Sequence, residues 1–468
     1  MERKIGKDEM KSTEGKEGCF SMQKEISFEE LREFENSFQG SRANQVAMNA
    51  ASTNGVIKAA TNPLVFGKVP HNFSVSLEQG DITNQKQSGR CWMFSALNTM
   101  RYRIIKKLNL KTFELSQSYP LFYDKLEKAN YFLESILETM KEERDGRLIA
   151  HLLSEPMNDG GQWDMLVNLV NKYGVVPKYA MPETVNSENT REMDGFLTKL
   201  LRQYACELRE GFQAGKSVET LREKKKEYMN HIYTILCICL GVPPKSFDFE
   251  ARGEDKTYTC DRNITPVEFF KKYVDMDLEQ YISLINAPTA DKPFHRTYTV
   301  SYLGNVKEGR PVKYLNLELA PIKAAAIAQL KDNEPVWFGC DVGQSSLGKK
   351  GILDVDAVRV NDLFGTEFSM NKAQRLDYGE SLMTHAMVFM GVDLDEKGNP
   401  TRWRVENSWG KETGKEGYMV MSDKWFDEFV YQVVVNKKYL PEAIQKEWEQ
   451  EPIPLKPWDP MGSLAKQL

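Results

Sequence analysis

The sequence predicts an α+β protein, helical in its first half and strand-rich in its second, and three observations carry that expectation. Residues 114–150 and 187–240 are rich in Lys, Glu and Leu, with the period of helices. Residues 298–320, 335–342, 386–394, 401–406 and 417–421 alternate or run apolar, enriched in Val, Tyr, Phe and Trp as strands are. A chain of 468 residues also exceeds what one hydrophobic core ordinarily organises, so more than one structural region is expected.

Taken in order, residues 1–26 read as a polar leader, charged and without the apolar stretch of a signal peptide. Ser27 and Glu30 have capping-box spacing ahead of Leu31, Phe34 and Phe38, so a helix is expected to start there. A loop rich in Asn, Pro and Gly (Asn54 to Asn72) leads to a turn-like segment ending at Ser88-Gly89-Arg90. From Cys91 onward Trp92, Phe94, Leu97 and Met100 read as a buried helix with no breaker. The tail after Tyr439 carries Pro441, Pro452, Pro454, Pro457 and Pro460, which predicts an extended arm that does not continue a sheet. The expected regions are 1–26, 27–186, 187–290 (a helical, oligomerisation insertion), 291–440 and 441–468.

Composition excludes little. Hydrophobic residues are 41%, charged residues 28% and the net charge is −5, as in a folded protein with no overall basic character. The apolar stretch Ile232 to Val242 is too short to span a bilayer. Seven irregularly spaced cysteines do not form a disulfide scaffold, which points to a reducing, cytoplasmic home. Neither Cys237-Ile238-Cys239 nor any histidine shows a metal-site spacing, so no metal or cofactor is expected.

The chemistry centres on Cys91. Amide hydrolysis by a thiol needs an ionisable sulfur, a proton-shuttling base and donors for the developing oxyanion. A cysteine at a helix N-terminus gains the first from unsatisfied N–H groups and the helix dipole. Taken alone, Cys91 is more simply one buried cysteine among several. The surrounding segment Gln85-Lys86-Gln87-Ser88-Gly89-Arg90-Cys91-Trp92-Met93-Phe94-Ser95 resembles the active-site segment of the papain family. Four further segments resemble that family's motifs in the same order: Glu114-Leu115-Ser116-Gln117, Asp159-Gly160-Gly161-Gln162-Trp163, Thr384-His385-Ala386, and Asn407-Ser408-Trp409-Gly410.

The resemblance implies a papain-like fold and a role for each residue. Cys91 is the nucleophile, His385 its base and Asn407 the group that orients the imidazole. Gln85 and the Cys91 N–H form the oxyanion hole. Gly160 and Gly161 bind the substrate backbone, and Trp409 covers the Asn–His hydrogen bond. Two departures refine the picture. Position 88 is Ser, where secreted relatives carry a disulfide cysteine. His385 follows Cys91 by 294 positions (385 less 91), against roughly 130–150 in papain-type enzymes, so extra residues sit inside the fold.

That combination is similar to the bleomycin hydrolase and bacterial aminopeptidase C family, including Phe113 to Tyr119 and the closing Pro457-Trp458-Asp459-Pro460-Met461-Gly462. Membership implies a cytosolic cysteine aminopeptidase, a homohexamer with inward-facing sites, and peptide substrates with free N-termini. It also implies that the C-terminal arm reaches the cleft and limits cleavage to single N-terminal residues. The chain runs past Ala465 with Lys466-Gln467-Leu468, and self-trimming of these three is expected. The alternatives are a papain-like endopeptidase, a side-chain amidase on the same fold, and a non-catalytic chambered protein binding nucleic acid. The run Lys224-Lys225-Lys226 reads first as a solvated helix face, with nucleic acid a minor partner.

Overall fold

The computed structural model describes residues 25–78 and 80–463. Most of the leader and the Lys466-Gln467-Leu468 extension lie outside the described residues. The chain divides into two compact units. The smaller takes in residues 25–61 and 360–367. Its first helix, Phe28–Gly40, opens with the expected capping box: Glu30 Oε2 accepts from the Ser27 N–H at 2.7 Å, and the Glu30 N–H donates to Ser27 Oγ at 3.2 Å. Leu31, Phe34 and Phe38 are exposed on it. Within this unit, the stretch read as a loop from Asn54 instead forms a short helix, Val56–Ala60.

The larger unit, residues 62–359 and 368–463, holds every candidate site residue. Its helical half packs Cys91–Lys107 against Ser118–Glu138 and Trp163–Tyr173 in one core with Trp92, Phe122, Leu133 and Leu166 buried. The Cys91–Lys107 helix is buried along almost its whole length, as its unbroken apolar run predicts. Helices Arg191–Gln213 and Val218–Leu240 follow, but the stretch read as a helical insertion also contains a hairpin, Phe247–Arg252 with Tyr258–Ile264. Phe249 is buried in that hairpin while its flanking residues are polar, a period-2 signal that the helical reading passed over.

The second half is a mixed sheet of twelve strands among the described residues. Its centre runs Tyr281–Ile285, Val430–Asn436, Val336–Cys340, His385–Leu394, Pro400–Glu406 and Tyr418–Ser422, each antiparallel to the next. Residues 298–320 are not one strand but two short ones, Arg296–Val300 and Lys313–Asn316, separated by a loop. The tail also departs from expectation. It forms a helix, Glu442–Trp448, and then a strand, Ile453–Leu455, that pairs in parallel with Arg296–Val300. Pro454 is tolerated there because the strand lies at the sheet's edge, where a missing N–H faces no partner. No helix among the described residues is long and apolar enough to cross a membrane.

Candidate active site

Cys91 is the first residue of its helix, at the positive end of the helix dipole, and the preceding Arg90 makes no side-chain cap hydrogen bond. The helix packs onto the strand that begins at His385; Ser95 Oγ donates to the Ala386 carbonyl at 2.8 Å. Trp337 Nε1 donates to the Trp92 carbonyl at 3.1 Å from the neighbouring strand. The two halves of the unit therefore meet at the Cys91 helix. A buried ion pair binds them again: Arg101, on the same helix, lies 3.0 Å from Glu406, one residue before Asn407.

His385 is fully buried, and its Nε2 lies 2.9 Å from Asn407 Oδ1. That oxygen also accepts the Ser408 N–H at 2.8 Å, while Asn407 Nδ2 faces the Met419 sulfur at 3.4 Å. The network thus assigns the Asn407 oxygen to the histidine side, and Nε2 must be the protonated ring nitrogen. Nδ1 is left as a bare acceptor, buried without a hydrogen bond among the described residues. Burial pulls the imidazole down to about 4, and the Asn407 hydrogen bond opposes that pull. A neutral ring with its lone pair on Nδ1 has the protonation state a base needs before it takes a thiol proton. The Trp409 ring sits over the imidazole, centroids 4.9 Å apart.

Gln85 is held at both ends. Its Nε2 donates to the Ser88 carbonyl at 2.8 Å, and its Oε1 accepts from Ser408 Oγ at 2.6 Å. One amide hydrogen remains for a further acceptor. The turn is braced by Ser88 Oγ, which donates to the Gln85 carbonyl and accepts from Arg90 Nε; Arg90 in turn forks onto Glu183 at 3.1 and 2.8 Å. The Asn84 and Trp409 backbones bridge, so the Gln85 loop and the Asn407 loop lie side by side. The glycine wall of Gly160 and Gly161 lies against the start of the Cys91 helix. A Cβ on Gly161 would lie 2.4 Å from the Trp92 ring, so only glycine fits there.

The arm reaches the same place. Ser463 O accepts from Gln162 Nε2 at 2.7 Å, and Ser463 Oγ donates to the Met383 carbonyl at 2.7 Å. The last described residue is thus pinned between the glycine wall and the approach to His385. Upstream anchors are Tyr314 OH to the Met461 carbonyl at 3.0 Å and Lys292 to Asp459 at 3.0 Å. Gln85, Cys91, Gly160, Gly161, His385, Asn407 and Trp409 therefore occupy adjoining loops and element ends. Asp159 and Ser408 lie in motifs read from the sequence but carry no role there, and Arg101, Glu406 and Lys125 were not singled out, because only contacts distant in sequence give these five their supporting part. Lys224, Lys225 and Lys226 each meet a carboxylate, at Glu227, Glu134 and Glu223.

Comparison with known proteins gives the family and the fold. The family described as peptidase C1-like matches residues 25–462. The chain belongs to that family. It is 51% identical to an aminopeptidase C of Lactobacillus delbrueckii subsp. lactis, over 95% of this chain and 99% of that one. Against an aminopeptidase C of Listeria monocytogenes the identity is 50%, over 95% and 100%. The crystal structure of PepW from Lactobacillus rhamnosis is similar with a TM-score of 0.93 and 50% identity, covering 94% of this chain and all of that one. The α+β papain-like fold and the aminopeptidase C branch of the family follow, and the protein is a cysteine aminopeptidase of that branch.

Proposed function

We propose that the protein removes single residues from the free N-terminus of peptides, with Cys91 as nucleophile, His385 as base and Asn407 as the group that orients it. The thiol proton passes to His385 Nδ1 as sulfur attacks the carbonyl carbon. The resulting oxyanion is received by the Cys91 N–H and the remaining hydrogen of Gln85 Nε2. His385 then returns the proton to the leaving amine, and water, deprotonated by the same ring, hydrolyses the thioester. Gly160 and Gly161 bind the substrate backbone, and Trp409 keeps water from the His385–Asn407 hydrogen bond.

The observation that carries the exopeptidase reading is Ser463, tied on one side to Gln162 and on the other to Met383. An arm anchored at Ser463 leaves room for a single substrate residue on that side of Cys91, which is the reading put to the test below. Cytoplasmic residence is proposed because no disulfide joins the six cysteines among the described residues. A homohexamer is proposed from the family resemblance, with peptides as the substrates and nucleic acid at most a minor partner.

The test compares the full-length enzyme with a chain ended after Gly462, each given a free-amine aminoacyl arylamide and an N-blocked peptide. Transfer of activity to the blocked substrate on truncation is expected. Full-length protein that already cleaves the blocked peptide well, with truncation changing nothing, would make it an endopeptidase.

A further inference from the structure

We propose that Asp159, paired with Lys125, is a positioning residue for the reaction: its carboxylate ties the backbone leading into Cys91 to the loop that carries Gly160 and Gly161. The contacts are specific. Asp159 Oδ2 accepts the Gly89 N–H at 2.7 Å and the Thr190 hydroxyl at 2.5 Å. Oδ1 accepts from Lys125 Nζ at 2.7 Å, and the Asp159 carbonyl accepts from Trp92 Nε1 at 2.7 Å. One residue thus holds the peptide two positions before the nucleophile, the side chain one position after it, and, through its own backbone, the glycine wall. No other residue described at this site touches all three.

Both lysines behind this loop come from one helical turn of Ser118–Glu138. Lys125 also reaches the Asn158 carbonyl at 2.9 Å and Asp194 at 2.8 Å. Lys128 donates to the Gly160 carbonyl at 2.6 Å and pairs with Asp124 at 2.7 Å. Lys125 has no exposed surface. A buried ion cluster is a poor source of stability, since the cost of stripping water from the charges offsets their attraction, and packed apolar side chains often do as well. What such a cluster supplies that apolar packing does not is direction. One cation faces two carboxylates, and the charge settles on Asp159: Lys125 and the donors around it hold Asp159 well below the usual carboxylate range, while burial and Asp159 itself push Asp194 up to about 7. The Gly89 hydrogen bond is therefore charge-assisted and short, the kind that fixes a peptide plane. That plane leads directly into the N–H proposed for the oxyanion, where a displacement of about 1 Å costs on the order of 100-fold in rate.

The inference rests on the proposed roles of Cys91 and Gly161, so its test carries a Cys91→Ala control. Full-length wild type, Asp159→Asn, Asp194→Asn and Thr190→Val are assayed on a free-amine aminoacyl arylamide. The kcat is expressed per site titrated with an irreversible thiol-directed inhibitor, which removes any misfolded fraction. Asp159→Asn is expected to lower kcat about 100-fold with KM changed less than about threefold, and to slow alkylation of Cys91. Thr190→Val, which removes one hydrogen bond and no charge, is expected to lower it about three- to tenfold. Asp194→Asn, which shares Lys125 but not Gly89, should stay within about twofold of wild type if direction and not cluster stability is what matters. Wild-type kcat per titrated site in Asp159→Asn, or an equal fall in Asp194→Asn, overturns the proposal. Should Asp159→Asn not fold, an unchanged Thr190→Val overturns it instead. Turnover by Cys91→Ala would overturn the underlying mechanism and leave these outcomes distinguishable from it.

Discussion

Replacing Gln85 with alanine should separate catalysis from folding. Gln85 is 2% exposed and is held by the Ser88 carbonyl and the Ser408 hydroxyl, at 2.8 and 2.6 Å. Its free amide hydrogen is the proposed second oxyanion donor. Loss of one such donor costs about 100- to 1000-fold in kcat, roughly 3–4 kcal/mol of transition-state stabilisation. The substitution also strands the Ser88 carbonyl and the Ser408 hydroxyl, at about 1–3 kcal/mol for each group left dry. Water entering the vacated space keeps the stability loss near the lower end, about 2 kcal/mol in all. Steady-state kcat on an aminoacyl arylamide, corrected by titration of Cys91, reads the first effect, and a urea midpoint reads the second. Gln85→Glu sharpens the test. It keeps an acceptor for Ser408 but offers the oxyanion a negative charge, so its kcat should fall below that of the alanine variant. A kcat for Gln85→Ala within about fivefold of wild type, at full titration of Cys91, would refute the oxyanion assignment.

Two further outcomes are expected. Gly161→Ala would place a methyl group 2.4 Å from the buried Trp92 ring, so the wall must move; kcat/KM should fall about 10- to 100-fold, and wild-type kcat/KM would show that substrate does not use this wall. Asp194 keeps its proton in the folded protein up to about 7 but loses it near 3.8 when unfolded, so its contribution to stability is lost as pH rises from about 4 to 7. Relative to wild type, Asp194→Asn should gain about 2–3 kcal/mol between pH 5 and pH 8, read from urea midpoints. A difference that does not change with pH would remove the raised carboxyl.

Much of the site was legible because its signals are local. The helix starting at Cys91 announces itself through Trp92, Phe94, Leu97 and Met100, and four of the five expected strand stretches begin and end within a few residues of observed strands. The rest depends on contacts far apart in sequence. Lys125 sits in a Lys/Glu/Leu-rich helical stretch that gives its lysines no distinguishing mark, and only the tertiary approach of Asp159 and Asp194 makes it a buried cation. Val430–Asn436, in the middle of the sheet, went unread although Val430, Val433, Val434 and Val435 mark it as a strand. The edge strand Ile453–Leu455 hid behind its proline: the sequence shows that Pro454 cannot donate, but not that no donor is wanted there.

The spacing of the site along the chain has a consequence for synthesis. Cys91 leaves the ribosome early, while His385, Asn407 and the arm residue Ser463 come near the end. At about 5–20 residues per second, the 294 positions between Cys91 and His385 take about 15–60 s to translate. During that interval the proposed base, His385, and the Ser408 hydroxyl that holds Gln85 have not been made, and the strands of the sheet on that side are missing. With the roles proposed above, a growing chain carries the nucleophile in a form unable to cut its neighbours. On that proposal competence arrives late, with His385 and Asn407, and the residues that follow within seconds include Ser463, the anchor of the arm.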